Sequence, residues 1–313
     1  MKNIGKFFAT VCVALAATTA VNAQDLNQAT ELYNQAAQAV ESDKAGALEN
    51  FQKALDMANA LGEEGAALAS DIKKLIPQIM LQISKEEAAA KNIEAALTSL
   101  AQTEAKAKEF GIEDLTADIN ELYSQVYMMQ ANDALNAKSF EAAAAAYQKV
   151  TEYDPANATA FLRLGMAQDK LGQEEQAVAS MEQASLLGED KAANKQLGKM
   201  FLMKANKAYR SKKLDDALEA IQKSLSYESE NAQANMLYGT IAFAKKDFAK
   251  AIEGLEKFLT LKPNDKNKNG IIYQLAASFE ALGQNAKAKS YYQQIINDPK
   301  FAEFAKHKVS TLK

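Results

Sequence analysis

The chain has 313 residues, a formal charge of −4, one cysteine, one histidine and no tryptophan. That acidic balance argues against nucleic acid as a partner, and one histidine with one thiol leaves no partners for a thiolate metal cluster or a His-based dyad. Alanine, glutamine, lysine, leucine and glutamate dominate and proline is scarce, a mix that favours helices over strands.

The first segment reads as a leader. Lys2 and Lys6 form a basic start, Phe7 to Ala17 is a short apolar run, and Val21 and Ala23 are small residues ahead of a cut. This is the three-part layout of a secretory signal peptide, residues 1–23, with Gln24 as the new end. The run is too short to span a bilayer, and no later stretch is long enough either, so no transmembrane segment is expected in the mature chain. Cys12 lies inside the apolar run, where it does not suit lipid attachment, and cleavage leaves no thiol. The expected location is the periplasm or the exterior.

Downstream, four columns of residues recur with one irregular set of steps, 34, 40, 34 and 37. Small residues stand at Ala143, Ala177, Ala217, Ala251 and Ala288, and again at Ala131, Gly165, Ala205, Gly239 and Ala276. Large residues stand at Tyr147, Met181, Ile221, Leu255 and Tyr292, and at Tyr127, Phe161, Phe201, Asn235 and Ile272. Within each repeat, apolar residues fall at helical spacing in two segments, which predicts a pair of helices. Gly172 and Gly283 mark the turn inside a pair, and Pro155 and Pro263 mark boundaries between pairs. Two helices approach closely only where side chains are short, so Ala143 and Gly165 are expected to face a neighbour's bulky residue.

These columns resemble the tetratricopeptide repeat. "FLRLGMAQDKLGQEEQAVASMEQA" and "YGTIAFAKKDFAKAIEGLEKFLTLKP" carry the resemblance best, and it covers Ser124 to about Lys300. The family's tryptophan is absent, Ser229 and Glu189 stand where proline is common, and the step of 40 implies six extra residues near Leu186–Lys195. The expected fold is all-α: an α-α superhelical solenoid of about seven helix hairpins plus a C-terminal capping helix. The domain reading is 24–123 for longer helix pairs, 124–298 for tandem repeats and 299–313 for the cap.

Longer pairs are expected first because the period lengthens upstream. "LASDIKKLIPQI" resembles "LTADINELYSQV" 47 residues on, and "ALENFQKALDMANALG" resembles "ALTSLAQTEAKAKEFG" after 49. Pro77 falls inside one of these helices and predicts a kink. At the far end, Asp298-Pro299 reads as the start of a last helix, with Phe301, Phe304, Ala305, Val309 and Leu312 on its inner side.

Motifs that suggest chemistry resolve into structure. "DKNKNG" at Asp265–Gly270 matches the start of a helix-loop-helix calcium loop, but its twelfth residue is Ala276, which cannot bind the ion and belongs to a small-residue column. A polar turn is expected, with Asp or Asn capping the next helix. His307 reads as a surface residue, and Gly62, Gly111 and Gly188 read as helix ends rather than a phosphate loop. No enzyme activity, cofactor or metal is expected. From Ala244 onward thirteen lysines face seven acids. Such a gradient either orients an anionic partner or is a solvated lysine-rich face.

The resemblance implies that the first helix of each pair lines a concave surface for peptides or partner helices. By the matching columns this gives Met128, Asn132 and Leu135; Leu162, Met166 and Asp169; Leu202, Asn206 and Tyr209; Met236, Thr240 and Phe243; then Tyr273 and Ala277. Some members grip a terminal carboxylate with lysine and asparagine one turn apart. Asn132 and Asn206 match the asparagine, but Met128 and Leu202 occupy the lysine places, so that clamp is not supported. Periodicity does not separate groove residues from inter-helix packing. The resulting expectation is a protein-binding scaffold of the cell envelope. The alternatives are a spacer or subunit of an envelope assembly, and a glycan or small-molecule binder using Tyr209, Phe243 and Tyr273.

Overall fold

The computed structural model describes residues 20–313, with side chains from residue 23. The expected leader therefore lies outside the described residues, except for its last four positions, which begin the first helix. The described chain is helical, with no strand among the described residues. The helices are α1 (Ala20–Ala39), α2 (Lys44–Ala60), α3 (Ala66–Ala89), α4 (Ile93–Phe110), α5 (Thr116–Asn136) and α6 (Phe140–Tyr153). They continue as α7 (Ala158–Lys170), α8 (Glu174–Ala184), α9 (Asp190–Arg210), α10 (Leu214–Tyr227) and α11 (Ala232–Ala244). The last are α12 (Phe248–Leu261), α13 (Lys268–Ala281), α14 (Asn285–Gln294) and α15 (Ala302–Thr311).

The chain divides after Ala156 into two compact halves. In the first, α1·α2, α3·α4 and α5·α6 form hairpins and α2·α3 and α4·α5 pack hairpin to hairpin. In the second, α7·α8, α9·α10, α11·α12 and α13·α14 are the hairpins, each packs on the next, and α15 closes against α14. This is the α-α solenoid arrangement, with seven hairpins and a terminal helix among the described residues. The first two hairpins are the longer ones: α3 has 24 residues and α4 has 18, against 13 and 11 for α7 and α8. α3 is continuous through Pro77, which is buried.

The repeating columns form the interior. Ala143, Ala177, Ala217, Ala251 and Ala288 are fully buried, as are Tyr147, Ile221, Leu255 and Tyr292, while Met181 is 1% exposed. A Cβ on Gly165 would lie 2.6 Å from Met181 Cγ and 2.8 Å from the Ala177 carbonyl oxygen. A Cβ on Gly239 would lie 2.6 Å from Leu255 Cγ and 2.9 Å from its backbone nitrogen. The small column on the first helix thus admits the large column of the second. Each deeply buried large side chain stabilises its hairpin by about 1.5–3 kcal/mol.

Six of the seven hairpin turns share one device. In each, the helix ends in a left-handed residue, and the next residue's N–H reaches back five positions. Examples are Gln173 N–H to the Gln168 carbonyl at 2.9 Å, and Lys213 N–H to the Ala208 carbonyl at 3.0 Å. This satisfies the last carbonyls of the helix. The left-handed residue is Gly172 or Gly283 in two turns, as expected, but Lys91, Lys138, Lys212 and Lys246 in four, with φ between 59 and 62°. A lysine there costs about 1 kcal/mol relative to glycine. The carbonyl satisfaction at each turn offsets that cost.

The six extra residues lie where the step of 40 put them. A kinked junction, Ser185–Glu189, with Gly188 at a non-helical φ of 105°, joins α8 to α9. The surplus extends the start of α9, which has 21 residues against 13 in α7 and α11. The C-terminal helix differs from expectation. α15 begins at Ala302, not beside Pro299: a turn comes first, in which the Asp298 side chain accepts the Lys300 N–H at 2.8 Å and its carbonyl the Phe301 N–H at 3.0 Å. Phe301, Val309 and Leu312 pack on the last core, but Phe304 is 41% exposed.

The close approach at Gly239 gives a direct test. Gly239→Val is expected to lower stability by about 1–3 kcal/mol through overpacking, read as a fall in the denaturant midpoint with far-UV circular dichroism unchanged at zero denaturant.

Candidate functional site

The predicted groove residues fall on both halves, and each half presents its own surface. In the first, Met128 lines a cleft of about 480 Å³ between α3 and α5. Leu122, Met129, Ala88 and Ala89 make its apolar floor with Met128, and Lys85, Asp118, Glu121 and Gln125 rim it. Lys85 and Asp118 pair loosely across it at 3.8 Å. Both helices are the first members of their hairpins, so this cleft lies where the repeat pattern puts a binding surface. Asn132 points elsewhere: it accepts the Tyr147 hydroxyl at 2.8 Å, tying α5 to α6. Leu135 is half-buried one turn on.

In the second half, Asp169 lines a cleft of about 570 Å³ with Met200, Met203, Lys207 and Asp216. Lys204 crosses it to Glu174 at 2.7 Å. The other predicted residues serve packing as well as surface. Leu162 and Met166 lie against the α8–α9 core, and Leu202 is 9% exposed and belongs to the α9–α11 core. Asn206 donates to the Leu202 carbonyl at 3.0 Å, and half-buried Tyr209 flanks the same core. Met236 packs on the last core, and Thr240 donates to Gln274 at 3.3 Å, joining α11 to α13. Phe243 meets Phe248 edge-on, and Tyr273 stacks on Phe301 at 5.2 Å. Tyr273 is thus covered on one side by the turn leading into α15. Leu122, Gln125, Met129, Met200 and Met203 were missed; for Gln125, Met129 and Met203 the one signal was three-residue spacing from a predicted position.

The calcium-like stretch is a turn. Asn267 holds the N-cap position of α13, without a hydrogen bond from its side chain to the helix. Asp265 accepts the Asn267 N–H at 2.8 Å, and Asn269 donates to Asp298 at 2.6 Å. Ala276, the would-be twelfth ligand, is fully buried inside α13. Among the described residues no three His, Cys, Asp or Glu gather as a metal site, and no helix is long and apolar enough to cross a membrane. His307 is exposed.

Tyrosine–glutamate bonds tie successive second helices. Tyr227 of α10 donates to Glu182 of α8 at 2.9 Å, and Tyr291 of α14 donates to Glu256 of α12 at 3.0 Å. Burial first, then the neighbouring carboxylate, pushes both phenols up to about 12. A phenol raised above its unfolded value of about 10 contributes stability that is complete below pH 10 and lost as pH rises towards 12. Tyr227→Phe is therefore expected to lose about 1 kcal/mol less than wild type between pH 8 and 11.5, allowing for solvent screening. Urea midpoints across that range measure it; parallel losses in both forms would contradict it.

Comparison with known proteins identifies the repeat. Tetratricopeptide repeat models match residues 128–191, 202–266 and 271–300, together about half of the chain. No curated protein is similar enough in sequence to match. Among solved structures, MamA shares 20% identity over 57% of this chain and 93% of its own, with a TM-score of 0.37. YrrB, described as a TPR protein with an unusual peptide-binding site, shares 20% over 58% and 91%, with a TM-score of 0.34. MamA from Desulfovibrio magneticus RS-1 shares 16% over 56% and 93%, with a TM-score of 0.36. The assignment rests on the family match and on the hairpin columns: this chain belongs to the tetratricopeptide repeat family.

Proposed function

We propose that this protein is a non-enzymatic scaffold of the bacterial cell envelope that holds a peptide or partner helix against the first helices of its hairpins. Tetratricopeptide repeat proteins bind protein or peptide partners. The observation that carries the reading here is the α3–α5 cleft, where Met128, Met129 and Leu122 form an apolar floor inside a rim of charged and amide groups. Unbranched methionine side chains adapt to an incoming apolar face, and the rim groups fix its orientation. The envelope location is supported by the leader pattern at 1–23.

A second reading, a spacer or assembly subunit that uses the second helices, draws on one observation. An open cleft along α4 is lined by Ile93, Leu97, Ala101 and Ala105. Ile93 and Leu97 also pack on the core beneath, so that surface is partly committed to folding. Glycan or small-molecule binding has less support, because Tyr273 is stacked on Phe301 and Phe243 lies against Phe248.

A photocrosslinking residue at Gln125, on the cleft rim, and another at Gln102, on α4, separate the two readings in envelope preparations. The scaffold reading expects one discrete protein adduct from Gln125 and none from Gln102. Adducts from Gln102 alone favour the spacer and contradict the cleft. Amino-terminal sequencing of the purified protein bears on location, with Gln24 as the expected first residue and Met1 as the result against export.

A further inference from the structure

The lysine excess near the C-terminus is concentrated by the fold. Lys262 caps α12, and a compact turn follows in which the Asp265 N–H donates to the Lys262 carbonyl at 3.2 Å and the Lys268 N–H to the Asp265 carbonyl at 3.1 Å. Lys262, Lys266 and Lys268 therefore sit on one loop, and all three are exposed. The Asn269–Asp298 hydrogen bond, 2.6 Å, clips this loop to the turn before α15, which carries exposed Lys300. None of these four ammonium groups pairs with a carboxylate among the described residues. The carboxylates of the two turns are engaged by the turns themselves: Asp265 accepts the Asn267 N–H, and Asp298 accepts from Asn269 and from the Lys300 N–H, with the Lys300 charge also acting on it. Of the nine other lysines from Ala244 onward, Lys245, Lys250, Lys257 and Lys308 are each paired to an acid.

Aromatic groups continue the patch. The Lys300 ammonium lies 5.3 Å from the Phe301 ring centre, Phe301 stacks on Tyr273, and Phe304 meets Tyr273 edge-on while 41% exposed. Unpaired lysines beside an exposed aromatic ring suit a surface that is anionic at the headgroups and apolar just below. The acidic remainder of the chain does not cancel this attraction, because charges further than about 8 Å are screened at physiological salt.

We propose that the Lys262–Gly270 loop and the Asp298–Phe301 turn form a docking surface for an anionic membrane. This surface is separate from the α3–α5 cleft and stands or falls apart from it. It would moor the protein by its C-terminal hairpin.

The test is sedimentation of the full chain with vesicles of phosphatidylcholine alone and of phosphatidylcholine with one third phosphatidylglycerol, beside the variant K262Q/K266Q/K268Q/K300Q. An uncleaved leader is common to both proteins, so the difference between them isolates the loops. Wild type is expected to prefer the anionic vesicles, to lose that preference in high salt, and to bind more than tenfold more tightly than the variant. Because all four positions are exposed, the variant should keep the wild-type melting curve. The salt dependence of wild type provides a reading even if the variant does not fold. Equal binding by the two proteins, no binding to anionic vesicles at low salt, or binding to soluble heparin without binding to vesicles would each overturn the proposal.

Discussion

The structure depends on one contact made again in each half: a short side chain on a first helix admits a large one from the second. Gly165 accepts Met181 and Gly239 accepts Leu255 at distances that leave no room for a Cβ. Ala131 and Ala276 hold the same first-helix place in the hairpins that bury Tyr147 and Tyr292 fully. Two helices alone cannot enclose these residues. Phe201 and Ile272 complete the interior from the next hairpin, so each hairpin relies on its neighbour for part of its core. The packing contacts fix where successive first helices stand within each half, which is what the proposed binding surface requires.

Much of this was legible from spacing. Four columns with one irregular set of steps could be satisfied together only by stacked helix pairs, and the six surplus residues were placed correctly before α9. The turns were less legible. Glycine announces a left-handed position, and Gly172 and Gly283 were read that way, but Lys138, Lys212 and Lys246 carry no such mark. The start of α15 differs because Asp298-Pro299, a helix-start signal, opens a turn here, closed by the Phe301 N–H on the Asp298 carbonyl, and α15 begins after it.

The candidate site was legible only in outline. Column matching gives positions that face outward on first helices, but it does not say which of them the next hairpin covers. Leu202 and Asn206 share that register with Met128, yet Leu202 is core and Asn206 bonds its own helix. Part of the α3–α5 cleft is made by Asp118, Glu121 and Leu122, on the stretch of α5 that precedes Ser124, where the repeat pattern begins. Nor could spacing show that the "DKNKNG" loop is clipped to Asp298, a contact between residues 29 apart in sequence.

Mutual dependence of hairpins is most directly tested on the piece 232–261, α11 with α12, made as an isolated peptide. It retains the Gly239–Leu255 contact but loses both neighbouring hairpins. The account predicts a far-UV circular dichroism spectrum with little helix and no cooperative thermal transition. A helical peptide that melts in a single sharp step would show that the hairpin folds unaided and would contradict it.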